Sequence, residues 1–545
     1  MDKTSYRGGA ENEEEGRELS EIDNTSCASL PPAPVGGISS PAPFIFCSSS
    51  GLYVIQAAQS IIEARSGAYL GSSRQTRCFM SFVVLADLRA KGGSVAKDTV
   101  AGGYGSRFRG DSVTTRLATN VRRVFLNVPS IHVGYLAAIF SRAGHKVVVT
   151  HHDKPIAADL ALVLTSLVDY RHERAWANEA RSRGIRVGFF GAPATHLPEL
   201  FIATGDFVIA GEPEAAAIRL AAGEELHGLV KSPAVDNLDS LPFPRWDLMK
   251  GRRFGYTNHR PIGLTRVVPM LTSRSCPEHC TYCPHRITAS FRQRSVENVI
   301  AEVEELCGLY HQPHIKIRDP LFTLDRDRCF HFAEAICARG LKLSFECETR
   351  MDDLDERLIR ALHAAGLREI SFGVESPDPL VLKRVSRRYI PHEHMRKMVK
   401  LCWELGIKTT AFYVMGFLED TEESIEDLIR FACDLDTTYA NFKILTPYPG
   451  TPQFKQLKHL VFETDWENFD GYTLTFNHPN LTPKRARLML GMAYSRFIAR
   501  PSQLFNWLGL HEYSHHALLQ KADSWSWDKQ DYLDRSWLSE RKVTA

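Results

Sequence analysis

Residues 275–284 read Ser-Cys-Pro-Glu-His-Cys-Thr-Tyr-Cys-Pro and place Cys276, Cys280 and Cys283 at spacings of three and two intervening residues. One loop with this spacing can wrap a cubane iron–sulfur cluster and present three thiolates to three of its irons. Thiolate is the soft ligand that such clusters select. The fourth iron stays open, which is typical of a cluster that binds a substrate or cofactor. The loop therefore predicts a 4Fe–4S centre.

Zinc is the main alternative for this loop, because zinc also binds cysteine thiolates. A zinc site generally takes a fourth protein ligand at similar spacing, and His279 and His285 are near in sequence. The nine other cysteines do not repeat the spacing, and those within predicted helices are expected to be structural. Twelve cysteines without a disulfide framework indicate a reducing compartment, and we expect a cytoplasmic protein.

Alternating strands and helices surround the cysteine loop. Six strands are predicted, at 267–272, 314–318, 343–348, 369–372, 408–415 and 440–445. Five helices lie between them, at 295–309, 325–338, 355–364, 392–405 and 422–435. A βα series of this length predicts a partial (β/α)6 barrel with its functional residues just after the strands.

A second alternating series precedes this barrel. Its strands are predicted at 124–128, 146–150, 159–165, 186–190 and 206–210, with helices at 134–143 and 172–183. Continuous apolar strands alternating with helices predict a Rossmann-like parallel sheet covered on both faces. Such a sheet binds ligands at the carboxyl ends of its strands. The fold class is therefore α/β.

Composition sets the predicted domain boundaries. Residues 1–118 contain stretches rich in Pro, Gly and Ser, or in Gly and Arg, and are predicted to be a poorly ordered or low-complexity extension. The αβ domain is assigned to 119–225, a linker to 226–262 and the barrel to 263–455. Residues 456–545 are expected to form a helical tail, in which Thr482-Pro483 begins a helix.

Charge and hydropathy exclude several classes of protein. The net charge is only +2 over 545 residues, which argues against a whole-surface electrostatic grip on nucleic acid. No apolar run approaches the roughly 20 residues that span a bilayer, and the acidic N-terminus does not resemble a secretory signal. We therefore expect no transmembrane segment and no nucleic-acid partner.

The strand ends of the predicted barrel carry further motifs. Together with the cysteine loop they resemble the radical S-adenosylmethionine (SAM) superfamily, which shows D-x-x-F-T, E-x-R, G-v-E-S, G-x-P-x-E-T and P-x-P-G-T at successive strand ends. The matching segments here are 318–323, 348–350, 373–376, 414–421 and 447–451. The resemblance covers about residues 240–455, and every match falls where a strand is predicted to end.

The resemblance implies that SAM binds the open iron and is cleaved by one electron to methionine and a 5′-deoxyadenosyl radical, which takes a hydrogen atom from a substrate. It also implies an electron donor such as a flavodoxin or a ferredoxin. By position, Tyr282 is expected near the adenine, and Glu375 and Ser376 near the ribose or methionyl part. The other expected SAM contacts are Arg350 and Asp319, at the carboxylate and amino group, and Gly416, where the backbone can approach closely.

The αβ domain resembles the cobalamin-binding class of the same superfamily. That class shows Y-L-A-A, a-G-H-e-V, G-G-x-h-a-t-x-x-P and G-E-g-E in this order, matched here by 134–138, 143–147, 191–198 and 211–214, and 496–501 resembles its F-Y-x-R-P. The resemblance implies cobalamin beside Thr165, Ser166, Gly191 and Ala192. No Asp-x-His-x-x-Gly segment is present, and His132 reads as an isolated, structural histidine.

The resemblance implies a radical SAM enzyme, and the leading hypothesis is a cobalamin-dependent C-methyltransferase acting on an unactivated carbon of a small molecule or lipid. A radical SAM oxidoreductase or cyclase without methyl transfer is the first alternative. A non-catalytic cobalamin-binding module is an alternative of another class, against which the intact cysteine loop argues. Related barrels also modify RNA, but no basic or aromatic RNA-binding module is evident in the sequence.

Overall fold

The computed structural model describes residues 81–89, 94–108, 128–249, 267–287 and 289–503. Most of the predicted strand at 124–128 and the chain beyond 503 lie outside these ranges. No helix within them is long and apolar enough to cross a membrane.

The first sheet has six parallel strands in the order β4-β1-β5-β6-β7-β8. They are β1 (Phe82–Ala86), β4 (Lys146–Thr150), β5 (Leu160–Leu164), β6 (Arg186–Phe190), β7 (Phe207–Gly211) and β8 (Gly228–Ser232). A hairpin of β2 (Ser94–Ala96) and β3 (Ser106–Phe108) follows β1. The helices of this domain are α1 (Ile131–Arg142), α2 (Tyr170–Ser182), α3 (Ala192–His196) and α4 (Pro213–Ala221). The predicted parallel αβ domain is confirmed.

Two domain boundaries were predicted wrongly. Strand β1 lies within 1–118, the segment expected to be poorly ordered, yet it pairs with both β4 and β5 in the interior of the sheet. Strand β8 lies within 226–262, the segment expected to be a linker, and pairs with β7. Both strands are only five residues long, and their long-range pairing decides their role more than their composition does.

The second sheet is the predicted partial barrel, with six parallel strands in the order β9-β12-β13-β14-β15-β16. They are β9 (Val267–Met270), β12 (His314–Ile317), β13 (Ser344–Thr349), β14 (Leu367–Glu375), β15 (Lys408–Met415) and β16 (Tyr439–Ile444). A short ladder of β10 (Ser273–Arg274) and β11 (Arg292–Gln293) follows β9. The helices are α5 (Val296–Leu309), α6 (Arg326–Ala338), α7 (Glu356–Ala364), α8 (Pro379–Arg384), α9 (His392–Glu404), α10 (Glu422–Leu435), α11 (Pro452–Leu457) and α12 (Pro483–Ile498).

Side-chain caps fix where the barrel helices begin. The caps of α5, α6, α7, α10 and α12 each accept a hydrogen bond from a backbone N–H three residues further on; they are Ser295, Asp325, Asp355, Thr421 and Thr482. Each cap satisfies a donor that the helix leaves unpaired. This is why the predicted helix starts agree with the structure to within one residue at α5, α6, α7 and α10.

The segment between the two sheets packs against the αβ domain. A Cβ atom on Gly134 of α1 would lie 2.8 Å from Cβ of Pro244 and 3.3 Å from the ring of Trp246. The backbone N–H of Arg245 donates to the carbonyl of Gly134 at 3.2 Å. The two sheets share one buried apolar cluster that includes Trp246, so their relative position is fixed by packing.

Candidate functional site

The cysteine loop is closed at its base by the antiparallel ladder of β10 and β11. Immediately beyond the ladder, Ser275 has φ of +68°, a left-handed conformation that costs a non-glycine residue free energy. Its Oγ donates to the carbonyl of Ala289 at 2.7 Å. The ladder and this hydrogen bond fix both ends of the loop.

Two carboxylates of the αβ domain hold this ladder. Glu212 and Glu214 follow β7, and Nη2 of Arg274 lies 2.7 Å from Oε1 of Glu214. Arg292 on the other strand of the ladder lies 2.5 Å from Oε1 of Glu212. The side chains of Arg274 and Glu214 are 6% and 0% exposed, so solvent screens their attraction little. The G-E-P-E segment at 211–214 is therefore an ionic clamp between the domains.

The three thiols of the loop lie within electrostatic range of one another. Cys280 is buried, and Cys276 and Cys283 are half-buried. Burial raises the pKa of the Cys283 thiol to about 12, and the other two thiols add to the increase. In the described part of the chain, no three His, Cys, Asp or Glu side chains are gathered tightly enough to hold a metal ion as they stand. The loop thus brings the thiols together without closing them into a ligand set.

Neither of the two histidines near the loop joins the thiols in a group of metal ligands among the described residues. Nδ1 of His279 lies 2.8 Å from Nη1 of Arg286. Burial lowers the pKa of His285 to about 4, and its side chain lines the cavity described below. Among the described residues the donor set is thus three thiols without a fourth protein ligand. This set fits a cluster with an open iron better than a zinc ion.

The cysteine loop is also hydrogen-bonded to the P-x-P-G-T region, which follows β16, the sixth strand of the barrel. Gln453, on the first turn of α11, donates its backbone N–H to the carbonyl of Thr281 at 3.0 Å. The Thr281 hydroxyl donates to Oε1 of Gln453 at 3.0 Å. Thr451 caps α11 and is fully buried. The P-x-P-G-T segment therefore positions α11, which contacts the cysteine loop at Thr281, the residue after Cys280.

One guanidinium joins the loop to the end of β14. Nη1 of Arg387 donates to Sγ of Cys280 at 3.9 Å, and Nη2 donates to the carbonyl of Gly373 at 2.6 Å. Nη2 also lies 3.5 Å from Oε1 of Glu375. No sequence motif pointed to Arg387, because it lies between α8 and α9, away from every strand end. It places a positive charge beside both a thiol and a carboxylate.

Glu375 and Tyr282, two of the predicted SAM contacts, are adjacent. Glu375 ends β14 with φ of +66°, beside a bulge. Burial raises the pKa of its carboxyl, against the opposing effects of Arg387 and of a hydrogen bond from Tyr282. The Tyr282 ring packs edge-on against Phe417, with centroids 5.8 Å apart. A Cβ atom on Gly373 would lie 2.1 Å from Oε1 of Glu375, so only glycine leaves this arrangement room.

Arg350 offers an unsatisfied donor at the same barrel mouth. Its Nε and Nη2 donate to the carboxylate of Asp352 at 2.9 and 2.8 Å. Its Nη1 is buried and has no hydrogen-bond partner among the described residues. A buried donor without an acceptor is costly, and a ligand carboxylate would satisfy it with a charge-assisted hydrogen bond. Ser376, also buried, follows Glu375 at the end of β14.

Two other predicted SAM contacts make hydrogen bonds within the fold. Asp319 is fully buried and accepts from the backbone N–H of Thr272 at 2.7 Å and from Oγ of Ser273 at 2.8 Å. It therefore fixes the residues that lead into the cysteine loop. The Gly416 N–H donates to Asp420 at 2.7 Å, and its φ is +88°. Their contact with SAM stays a prediction.

The carboxyl edge of the first sheet is covered by residues 97–105, the junction loop, which joins β2 to β3. Its Tyr104 carbonyl accepts from the N–H of Leu167 at 2.9 Å, and its Tyr104 hydroxyl donates to the carbonyl of Pro449 at 2.5 Å. A Cβ atom on Gly102 would lie 2.8 Å from Pro284. The junction loop therefore contacts both the αβ domain and the barrel.

The four predicted cobalamin neighbours divide into two pairs. Thr165 and Ser166 are fully buried and bonded within the domain: the Thr165 hydroxyl donates to the carbonyl of Phe190 at 2.9 Å, and the Ser166 hydroxyl donates to Glu173 at 2.9 Å. Residues 191 and 192, in contrast, line a cavity. Only this second pair is placed to touch a ligand there.

That cavity lies between the carboxyl edge of the first sheet and the cysteine loop. Its αβ-domain wall is rich in glycine and alanine, so the backbone there can closely approach a flat ligand. The wall includes Asp98, Gly103, His132, Gly191, Ala192 and Gly211, and the barrel side includes Ser275, His285 and Arg318. This wall therefore offers a ligand backbone atoms and the polar side chains of Asp98 and His132.

Comparisons with known proteins agree with this architecture. A family model described as the radical SAM superfamily matches residues 270–432. An uncharacterized methyltransferase of Pyrococcus horikoshii, PH0819, is 28% identical over 356 residues, which are 61% of this chain and 75% of the relative. The anaerobic magnesium-protoporphyrin IX monomethyl ester cyclase of Cereibacter sphaeroides is 28% identical over 53% of this chain, a match that spans about half (47%) of that relative.

A solved structure shares both domains of the fold. The cobalamin-dependent S-adenosylmethionine radical enzyme OxsB, with aqua-cobalamin bound, superposes with a TM-score of 0.55 over 79% of this chain and 70% of its own, at 13% identity. This likeness concerns the fold alone. The family match covers the cysteine loop and the strand ends from β9 to β15, and residues 270–432 therefore form a radical SAM domain.

Proposed function

We propose that this chain is a cobalamin-dependent C-methyltransferase that replaces a hydrogen on an unactivated carbon of a small molecule or lipid by a methyl group. One observation carries the proposal: the glycine-rich carboxyl edge of the first sheet faces the cysteine loop across a single cavity. A cofactor held at the edge of the first sheet can thus act on a substrate in the cavity, while SAM reaches the same substrate from the cysteine loop. Relatives named as methyltransferases outnumber those named as cyclases, which favours this reaction.

The chain's own residues have distinct tasks in this proposal. Cys276, Cys280 and Cys283 would ligate a 4Fe–4S cluster, and the free Nη1 of Arg350 would receive the SAM carboxylate. Arg387, beside Cys280, would offset negative charge on the cluster. When bound, the cluster supplies the electron that cleaves SAM, and cobalamin carries the methyl group.

A radical route suits such a substrate because no side chain of accessible pKa could remove a proton from an unactivated carbon. Each methyl transfer would consume two molecules of SAM and two electrons, and would release S-adenosylhomocysteine, methionine and 5′-deoxyadenosine. The electrons would come from a donor such as a flavodoxin or a ferredoxin. The junction loop covers the sheet edge beside the cavity and would help exclude water from the reaction.

The test begins with protein purified without air, supplied with iron, sulfide and cobalamin, then incubated with SAM and a chemical reductant. We expect cluster and cobalamin absorbance, and both S-adenosylhomocysteine and 5′-deoxyadenosine. The variant Cys283→Ala should lose the cluster absorbance, while Cys433→Ala, a matched half-buried cysteine on α10, should keep it. Production of 5′-deoxyadenosine alone would reject methyl transfer in favour of an oxidoreductase or cyclase, and bound zinc would reject the whole assignment.

A further inference from the structure

His132 and Asp98 form a pair on the αβ-domain wall of the cavity. Nδ1 of His132 lies 2.5 Å from Oδ1 of Asp98, and Oδ2 of Asp98 accepts from the backbone N–H of Ile131 at 2.9 Å. His132 lies on the first turn of α1, while Asp98 comes from the junction loop, 34 residues earlier. The interpretation of His132 as an isolated histidine is therefore wrong, because folding gives it a carboxylate partner.

The contact with Asp98 engages only Nδ1 of the His132 ring and leaves the other ring nitrogen, Nε2, available to a ligand. A carboxylate that accepts from Nδ1–H leaves the lone pair on Nε2. No described residue forms a hydrogen bond with that Nε2, and the side chain is 27% exposed and lines the cavity. Metal-ligating histidines are held in this way, with the second nitrogen donating to a carboxylate that fixes the tautomer and ring orientation.

A histidine with a structural role in the same domain looks different. Nδ1 of His145 accepts from the backbone N–H of Ser81 at 3.3 Å, and its Nε2 lies 2.9 Å from the carbonyl of Ala221. Both of its nitrogens are thus used within the fold. As a helix cap, Asp98 uses only the backbone N–H groups of Ile131 and His132 and needs no imidazole, so neither structural role accounts for the His132 ring.

The position of the pair in the sheet favours a ligand. Strand β1 has β4 on one side and β5 on the other, so the strand order reverses there. Parallel αβ sheets bind their ligands at this switch point, beyond the carboxyl ends of the strands. Asp98 has a left-handed backbone conformation, with φ of +61°, which is unfavourable for a residue with a side chain. The adjacent Lys97 anchors this conformation, because its side chain is fully buried and its Nζ lies 2.6 Å from Oε1 of Glu173.

We propose that Nε2 of His132 is an axial ligand to the cobalt of cobalamin, with Asp98 as the residue that positions the imidazole. The proposal rests on the proposed function, in that cobalamin must bind. Its consequence is that the cofactor's own benzimidazole nitrogen is displaced from cobalt. The loss of Asp98 should weaken cobalamin binding by about 10- to 100-fold, as is typical when the partner of a ligating histidine is removed.

Electron paramagnetic resonance of the reduced, cobalt(II) form tests this directly. The full chain is loaded with cobalamin, freed of unbound cofactor, and prepared both unlabelled and with nitrogen-15 throughout the protein. One axial nitrogen splits each cobalt line into three, or into two if it is nitrogen-15. We expect the splitting to change from triplet to doublet on labelling the protein, because the ligand comes from the chain and not from the unlabelled cofactor.

Two variants assign the signal to one histidine. His132→Gln, whose amide can still donate to Asp98, should bind cobalamin but lose the doublet. His172→Ala should keep it, since His172 is a similarly exposed histidine that lies 3.5 Å from Asp153, outside the cavity. Bound cobalamin whose spectrum shows a triplet regardless of labelling, or no splitting, would overturn His132 ligation and leave cobalamin binding intact. Failure of the wild-type chain to retain cobalamin would overturn both proposals.

Discussion

Replacing Arg274 by methionine should destabilise the junction between the two domains. Methionine keeps an apolar side chain at this position but removes the positive charge. Glu214, whose side chain is 0% exposed, then loses the guanidinium nitrogen that lies 2.7 Å from its Oε1. Removing one partner of a buried ion pair costs about 3–5 kcal/mol, because the remaining charge stays desolvated. At about 2 °C per kcal/mol for a large domain, the Tm should fall by about 6–10 °C.

Thermal unfolding of the wild type, the variant and a double variant measures this cost. Arg274→Met combined with Glu214→Gln removes both charges and should recover most of the loss, since the unpaired carboxylate is its cause. The control is Arg245→Met, because Arg245 forms a comparably short pair with Asp247, at 2.7 Å, but the two side chains are 41% and 48% exposed. Exposed pairs contribute less than about 1 kcal/mol. If Arg274→Met costs no more than Arg245→Met, the clamp is not what fixes the ladder.

Two further predictions concern the barrel. Gly373→Ala would place Cβ 2.1 Å from Oε1 of Glu375 and 2.6 Å from Nη2 of Arg387. We therefore expect equilibrium binding of SAM to weaken by about tenfold or more. The control is Gly308→Ala, where a Cβ meets no atom within 4 Å, and it should leave SAM binding unchanged. Burial raises the pKa of Asp420 to about 7, so between about pH 4 and 7 its folded state holds a proton that the unfolded state has lost. Stability measured by denaturant unfolding should therefore fall as pH rises through that range, by up to about 1.4 kcal/mol per unit, and this slope should be absent in Asp420→Asn.

The barrel was predictable because its signals are local. Strand β15 and helix α10 have the predicted bounds, and β12, β13 and β16 differ from them by one residue at either end. Apolar strands of four to nine residues alternate with helices that begin at Ser, Thr or Asp caps, and both patterns can be read within a short window. The three cysteines are likewise adjacent in sequence, so their spacing alone suggested a cluster.

Strand β1 was missed because its role depends on distant residues. Residues 82–86 and 124–128 are both five-residue runs dominated by apolar side chains, and local composition cannot rank them. Residues 82–86 become a strand through pairing: Val84 lies opposite Val148 of β4 on one side and Ala161 of β5 on the other. These partners are more than sixty residues away, beyond the reach of any local pattern.

The same limit applies to the candidate site. Arg387 meets Cys280 from 107 residues away, and Asp98 meets His132 across a segment that reads as low in complexity. Thr165 and Ser166 stand at the end of a strand, as a cofactor contact should, but the junction loop covers them and Glu173 takes the Ser166 hydroxyl. Spacing predicts which residues end a strand, whereas tertiary packing decides which of them face a cavity.

The glycines of the junction loop show why composition was misleading there. A Cβ atom on Gly102 would lie 2.8 Å from two atoms of Pro284, next to the third cysteine, and one on Gly103 would lie 3.0 Å from Cβ of Ala192 in the αβ domain. Both glycines also have positive φ, of +59° and +96°, where a side chain is strained. Consecutive glycines are needed here because the loop passes between two surfaces that must stay close. The feature that resembles disorder in the sequence is therefore a steric requirement of the contact between the cysteine loop and the αβ domain.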